Sequence, residues 1–349
     1  MATVREIAKK TGVSPATVSR ALKSHPDVSD MTRSKVLRAA KVTGYIDDVS
    51  SNGNSTATSI GYMLTGGDPR LCEYDWMLLE GITEGLRDSR MDLQVVDLQR
   101  CKREGETYRQ FFHRRGLRGV ILRTVTQNRS ICRDILAEDF PSIVVAERFA
   151  DMEEANFVCC DSTAETARAF LHLMDLGHKR IAIVMHGRAD RDHLDRYNGF
   201  REACAARNIE PDEDLVLRIV ANFDGGRTAL NRLMSLPEPP TAIVFTDPQP
   251  GIGAICRAHE VGLQIPRDLS IIGFDDGDTR RRIYPVLTAV CQDTRELGFE
   301  AAAWLSKRLN GETTDSFRQV IHARLEINQT TGVPPSTPVR LQPNGKVIE

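Results

Sequence analysis

The sequence predicts an α/β protein in two unequal parts, a three-helix head and a larger two-lobed body of parallel sheets flanked by helices. Three observations predict it. From Thr58 onward, apolar β-branched runs alternate with amphipathic segments, the signature of parallel sheets covered on both faces. About 270 residues of this pattern is more than one sheet usually holds, which gives two lobes. Ahead of it, Thr3–Leu22 reads as two short helices around a tight turn, and residues 47–57, DDVSSNGNSTA, have the composition of a linker.

In the head, Val4, Ile7, Ala8 and Thr11 keep the spacing of one buried helix face. Thr3 and Glu6 form a capping box, and Gly12 supplies a residue able to turn with positive φ. Ser14 caps the second helix, with Pro15 at its first position, where a missing N–H costs nothing. That helix exposes Pro15, Ala16, Thr17, Ser19, Arg20 and Lys23, short polar groups and cations suited to a DNA major groove. An ordinary helical hairpin remains the plainer alternative for this stretch alone. Ser29 caps a third helix from about Asp30 to Thr43, ended by Gly44.

In the body, strands are expected at Ser59–Leu64, Leu93–Leu98, Gly119–Leu122, Ser142–Ala146, Arg180–Met185, Leu215–Val220, Thr241–Phe245 and Ser270–Phe274, with a further strand at Cys159–Cys160. Amphipathic helices are expected near 76–90, 105–116, 129–138, 162–176, 194–208, 226–235, 252–262 and 295–309. Residues 332–349 are proline-rich without periodicity and read as a disordered tail.

Charge separates the parts. Residues 1–46 carry nine Lys/Arg against three Asp/Glu, and the remainder 37 against 45. A basic head on an acidic body fits a polyanion-binding head, and a solvated charged helix gives the same count. No apolar signal region opens the chain and no apolar run is long enough for a bilayer, so a cytoplasmic protein without membrane contact is expected. The eight cysteines are scattered without a C-x-x-C pair. Most sit in apolar segments as small buried hydrophobes; a redox pair at Cys159–Cys160 is the less favoured reading.

From residues 2 to about 331 the chain resembles the lactose-repressor/galactose-repressor (LacI/GalR) family of bacterial transcription regulators. IAKKTGVSPATVSRAL, VSDMTRSKV and GY carry the likeness in the head, and LGHKRIAIV, RYNGFREA, LQIPRDLSIIGFDD and LTAVCQDTRELGFEAAAWL in the body. The resemblance implies a helix-turn-helix head over 1–46, a hinge over 47–57, and a periplasmic-binding-protein-like core over 58–331 that binds effector and dimerises. One lobe is then about 58–160 plus 292–320, the other about 161–291 plus 321–331. It also implies a nucleoid-associated homodimer on a near-palindromic double-stranded operator, read as a repressor, with affinity set by a small sugar-like effector between the lobes.

By that likeness Pro15 and Ala16 stand at base-discriminating positions, yet neither side chain hydrogen-bonds. Arg20 suits guanine or a phosphate; Thr17 and Ser19 suit phosphates; Thr3 and Ser14 position the head. The hinge departs from the family: Tyr45 is followed by Ile46-Asp47-Asp48, with no leucine before Ile60 to wedge into the minor groove. Little or no operator kinking is therefore expected.

For the effector, motif matches point to Arg196 in DRYNGF, Asp275 in GFDD, Asp247 in VFTDPQP and Asp161 near the lobe boundary. A cation facing carboxylates suits a polyhydroxylated ligand. Gln292, Phe223, Tyr74 and Trp76 are candidates for a polar contact and stacking faces, with core packing the alternative for each aromatic. Arg123, Arg188, Arg191 and Arg280–Arg282 leave open an anionic effector, a sugar acid or sugar phosphate, against a solvated loop balanced by Asp275, Asp276 and Asp278.

No catalytic constellation, metal-ligand spacing or phosphate loop is present in the sequence, so neither cofactor, metal nor enzyme activity is expected. The rival is a cytosolic solute-binding receptor with a vestigial head, and a sugar-modifying enzyme is more distant.

Overall fold

The computed structural model describes residues 3–22, 28–43, 58–66, 71–124, 128–149, 151–153, 155–187, 191–342 and 347–348. The chain divides into two compact units, Met1–Thr58 and Ser59–Glu349.

The first unit holds α1 (Val4–Thr11), α2 (Pro15–Leu22) and α3 (Asp30–Val42). The Thr3 hydroxyl accepts from the Glu6 amide while the Glu6 carboxylate accepts from the Thr3 amide, closing the capping box. Gly12 ends α1 at φ 68°, in the left-handed region where a side chain would be strained. Ile7, Ala8, Val18, Ala21, Val28, Val36 and Ala40 make one small core among the three helices. Lys23 and the linker 47–57 lie outside the described residues.

The second unit begins with β1 (Ser59–Leu64), α4 (Glu73–Gly85), β2 (Asp92–Asp97), α5 (Leu98–Cys101), α6 (Tyr108–Arg114), β3 (Leu117–Arg123), α7 (Arg129–Ala137), β4 (Ser142–Val145) and β5 (Phe157–Asp161). It continues with α8 (Thr163–Asp175), β6 (Ile181–His186), α9 (Arg191–Ala206), β7 (Val216–Ile219), α10 (Phe223–Met234), β8 (Ala242–Phe245), α11 (Pro248–Glu260), β9 (Ser270–Asp275) and β10 (Thr288–Cys291). It closes with α12 (Thr294–Leu309), β11 (Arg318–His322), β12 (Arg324–Glu326), β13 (Arg340–Leu341) and β14 (Val347–Ile348).

Two six-stranded sheets result, ordered β11-β5-β4-β3-β1-β2 and β12-β10-β9-β8-β6-β7. All pairs are parallel except β10–β12. Predominantly apolar central strands such as SIGYML and AIVF are buried on both faces, as parallel sheets between helices require. The chain passes between the sheets three times, after β5, after β10 and between β11 and β12. One apolar cluster, from Ile60 and Val158 to Ile183 and Phe274, runs through both lobes.

Three expectations change. The stretch 248–251 is the first turn of α11, with Pro248 at its start, where proline is pre-organised. Strands β10, β11 and β12 were absent from the sequence reading: β10 has only four residues, and β11 alternates between exposed and half-buried positions. The tail is ordered along 332–342. The Gly332 carbonyl accepts from His178 Nε2 at 2.9 Å, and Leu341 is buried in the second lobe's core beside Val339. Two apolar anchors placed against α10, with β13 pairing β14, outweigh the prolines.

Candidate functional site

In the head, Ser14 caps α2: its hydroxyl accepts from the Thr17 amide at 3.1 Å and lies 2.8 Å from the Thr17 hydroxyl. Val18 and Ala21 face inward, which leaves Pro15, Ala16 and Arg20 exposed on the opposite side, with Thr17 and Ser19 half-buried. Thr3 completes a cap and is exposed. The helix thus presents one cation, Arg20, beside Pro15 and Ala16, whose side chains make no hydrogen bond, and the half-buried hydroxyls of Thr17 and Ser19.

In the core, the polar residues gather where parallel strands end, the usual place for a ligand cleft in open α/β sheets. On the first lobe, Arg123 is the last residue of β3. Its Nε donates to Asp75 at 3.2 Å, its Nη1 donates to the Thr124 carbonyl at 2.8 Å, and its guanidinium lies 4.6 Å above the Tyr74 ring. Asp75 also accepts from the Tyr62 hydroxyl at 2.9 Å and the Cys72 amide at 3.0 Å. Burial works to raise the Asp75 pKa, but Arg123 and these donors outweigh it and hold the carboxyl below its usual range.

At the lobe boundary, Arg148 donates to Asp195 at 3.0 Å and pairs with Asp161 at 3.1 Å. Arg191 pairs with the other oxygen of Asp195 at 3.1 Å. Burial pushes the Asp195 carboxyl up to about 6 against the pull of both arginines.

On the second lobe, Arg196 of α9 is buried, stacks 4.4 Å from the Phe274 ring and donates to the Thr246 carbonyl. Two carboxylates interact with it electrostatically, Asp247 after β8 and Asp276 after β9. Asp247 lies 3.1 Å from His193 Nε2 and accepts from the Thr246 hydroxyl at 3.0 Å. Burial acts to raise it, yet His193, Arg196 and Thr246 keep it below the usual carboxylate range. Asp276 accepts from Gln292 Nε2 at 2.5 Å. Burial pushes its carboxyl up to about 7 despite Arg196 and Gln292, and the negative charges of Asp192 and Asp247 add to the rise. Across the cleft, burial raises the Tyr74 pKa, and the Asp192 and Asp276 carboxylates raise it further.

The structure therefore brings together Tyr74, Arg196, Asp247 and Gln292 of the residues singled out from sequence, and seats Arg123 and Asp161 in ion pairs beside them. Asp275 lies apart from this group. Its side chain turns to Arg280, which donates to it at 2.7 Å and is also paired with Glu326 at 2.6 Å, while the next residue, Asp276, faces Gln292 and Arg196. Trp76 is 58% exposed, half a helical turn from the inward Tyr74, and shares its face with Glu80 rather than the cleft. Phe223 opens α10 with its ring 5.9 Å from the Arg227 guanidinium one turn along the same helix. Arg188 lies outside the described residues. Asp192, His193, Asp276 and the Arg148–Asp195 pair were missed; the i, i+4 spacings Asp192/Arg196 and Arg191/Asp195 were the available signal.

The comparisons with known proteins agree with this anatomy. A family model described as bacterial regulatory proteins, lacI family, matches residues 3–48, and one described as periplasmic binding protein-like domain matches 170–331. The HTH-type transcriptional repressor CytR of Escherichia coli (strain K12) is 28% identical over 341 residues, covering 95% of this chain and 96% of that protein. Catabolite control protein A of Priestia megaterium is 25% identical, covering 94% and 99%. Among solved structures, a transcriptional regulator CelR–cellobiose complex matches with TM-score 0.65 and 25% identity over 95% of this chain and all of that one. A lac repressor dimer bound to operator and an anti-inducer matches with TM-score 0.65 at 22% identity, over 95% and 99%. Fold and site define a helix-turn-helix head joined to a periplasmic-binding-protein-like core. The chain belongs to the LacI family of transcription regulators, and its relatives are repressors rather than enzymes. No helix among the described residues is long and apolar enough to cross a membrane.

Proposed function

We propose that the protein is a cytoplasmic repressor that binds a near-palindromic operator as a homodimer and changes its operator affinity when a small, uncharged, sugar-like effector enters the cleft. The observation that carries it is the cluster of buried Arg196 on α9 with half-buried Asp247 and buried Asp276, the two carboxylates just past the carboxyl ends of β8 and β9, in a chain that also carries an α2 exposing Arg20. A guanidinium fork flanked by carboxylates is matched to a ligand's hydroxyl groups. The cellobiose complex of the CelR relative supports a sugar-like class.

Charge argues for the uncharged member of that class. Arg123, Arg148, Arg191 and Arg280 all pair with carboxylates of the protein itself, at 2.7–3.2 Å. Of the cations offered as receptors for an anionic effector, Arg123, Arg191 and Arg280 are neutralised, as is the neighbouring Arg148, while Asp247 and Asp276 interact with Arg196 and Asp192 adds its charge beside Asp276. A sugar phosphate or sugar acid entering there meets net repulsion.

Selection of randomised duplexes on the purified protein tests the regulator. Enrichment of a palindrome whose binding falls steeply with salt supports it; enrichment of no sequence overturns it in favour of a solute receptor. Thermal shifts with cellobiose, ribose and glucose 6-phosphate test the charge argument, and stabilisation by the phosphate alone sinks it.

A further inference from the structure

We propose that Glu73 is a clasp between the lobes, holding the cleft closed until the lobes part to admit a ligand. Three consecutive residues at the start of α4 point to three tasks. Asp75 fixes Arg123, Tyr74 lines the cleft, and Glu73 reaches the other lobe. Glu73 Oε2 accepts from Gln249 Nε2 at 3.2 Å, in the first turn of α11, and Oε1 accepts from the Thr279 hydroxyl. One turn further along α4, Met77 lies against Gly277; a Cβ on that glycine would sit 2.9 Å from the Met77 sulfur.

The partners follow closely on the cleft carboxylates: Gln249 stands two residues after Asp247, and Thr279 three after Asp276. One carboxylate thus ties the Tyr74 segment to both acid-bearing segments of the opposite lobe. None of Glu73, Gln249 and Thr279 is at a crossing between the sheets, so rotation about the crossings separates them. Another bridge between the lobes differs: Arg148, while holding Asp195, also holds Asp161 and the Cys160 carbonyl at the first crossing itself. Tyr74, Arg196, Asp276 and Gln292 are all at least 93% buried in this arrangement. A ligand therefore reaches them only once the lobes move apart, and Glu73 makes polar contacts that break outside the crossings when they do. The clasp gives the effector reading its gate, but its own test uses no effector.

Hydrogen–deuterium exchange on the full-length chain provides that test, comparing wild type with Glu73→Ala, Gln249→Ala and the control Glu80→Ala, whose carboxylate pairs with Arg295 within the first lobe at 3.6 Å. Loss of hydrogen bonds to a charged acceptor shifts an opening equilibrium by about tenfold, so Glu73→Ala is expected to speed exchange roughly tenfold in peptides covering 277–283. Gln249→Ala is expected to act in the same direction and Glu80→Ala to leave those peptides unchanged. Acceleration confined to the first turn of α4 would mark Glu73 as a local helix-start residue and overturn the proposal. So would unchanged exchange at 277–283. Should Glu73→Ala speed exchange in β8 and β9 as well, a sign of global unfolding, Gln249→Ala decides by the same peptides.

Discussion

Asp275 and Asp276 are neighbours of identical chemistry that the fold puts to opposite uses. An extended chain alternates its side chains between the two faces of a sheet. Asp275 thereby meets Arg280 and Asp276 meets Arg196 and Gln292. The motif GFDD marks the place in the sequence, but the partner that claims Asp275 is shared with Glu326, 46 residues from Arg280, and that pairing has no local signal. The consequence is measurable. In the unfolded chain the Asp276 carboxyl has its ordinary value near 3.8; in the fold it is pushed up to about 7 by burial. The stability it contributes is present below the ordinary value and lost as pH rises through about 7. Asp276→Asn keeps an acceptor for Gln292 and carries no charge. The variant should unfold later than wild type at pH 8, by about 2–4 kcal/mol, and the gap should close as pH falls toward 4. Denaturant midpoints at pH 4 and pH 8 check this; a variant less stable than wild type at pH 8 rejects it. In the head, Arg20→Ala is expected to lose about 1–3 kcal/mol of operator binding with relaxed choice at one base per half-site. Uniform weakening on all duplexes would make Arg20 a phosphate contact.

Helices α4 and α12 show how an element's position depends on residues that carry no side chain. A Cβ on Gly81 would sit 1.8 Å from the Arg295 carbonyl oxygen, and one on Gly298 2.2 Å from the Leu78 carbonyl oxygen. Both obstacles are backbone, so neither can swing aside. Gly81→Ala must push the helices apart, at a cost of about 1–3 kcal/mol. Urea unfolding of the full chain gives the value, and an unchanged midpoint would show that α4 and α12 do not pack this closely. Because α4 also presents Tyr74 and Glu73, the same shift should loosen the cleft. The alternation of strand and helix was legible because buried parallel strands read as continuous apolar runs. What escaped were elements defined by distant partners. Strand β10 is four residues beside β9, β12 is three residues pairing back on β10, and the tail is held by His178 and by burial of Leu341. Arg196, Asp247 and Gln292 were legible through motifs. Asp192 and Arg148 were not, because charged residues look alike until the fold decides which are enclosed.

At the scale of the molecule, a basic head is joined to an acidic core through a segment that carries Asp47-Asp48 and no leucine. With Val49 as its only candidate for an apolar wedge, this linker has little means of prying open a base step, and its two carboxylates are repelled by phosphate. On the proposed function, coupling between effector and operator then comes chiefly from how the two lobes are arranged, which is where the proposed Glu73 clasp acts. A coupling of this kind is reciprocal: if effector changes operator affinity by some factor, operator changes effector affinity by the same factor, typically about 5–150-fold. With the selected palindrome and a stabilising ligand in hand, calorimetry can measure both halves of the cycle. The two factors should agree in the wild type. Arg20→Ala should weaken operator binding while leaving the affinity of the DNA-free protein for the ligand untouched, since Arg20 belongs to the other compact unit. Glu73→Ala should do the reverse, changing ligand affinity in the absence of DNA because it changes the balance of open and closed lobes. If Glu73→Ala left ligand affinity unchanged and altered only operator binding, closure of the core would not be the step that links the two sites.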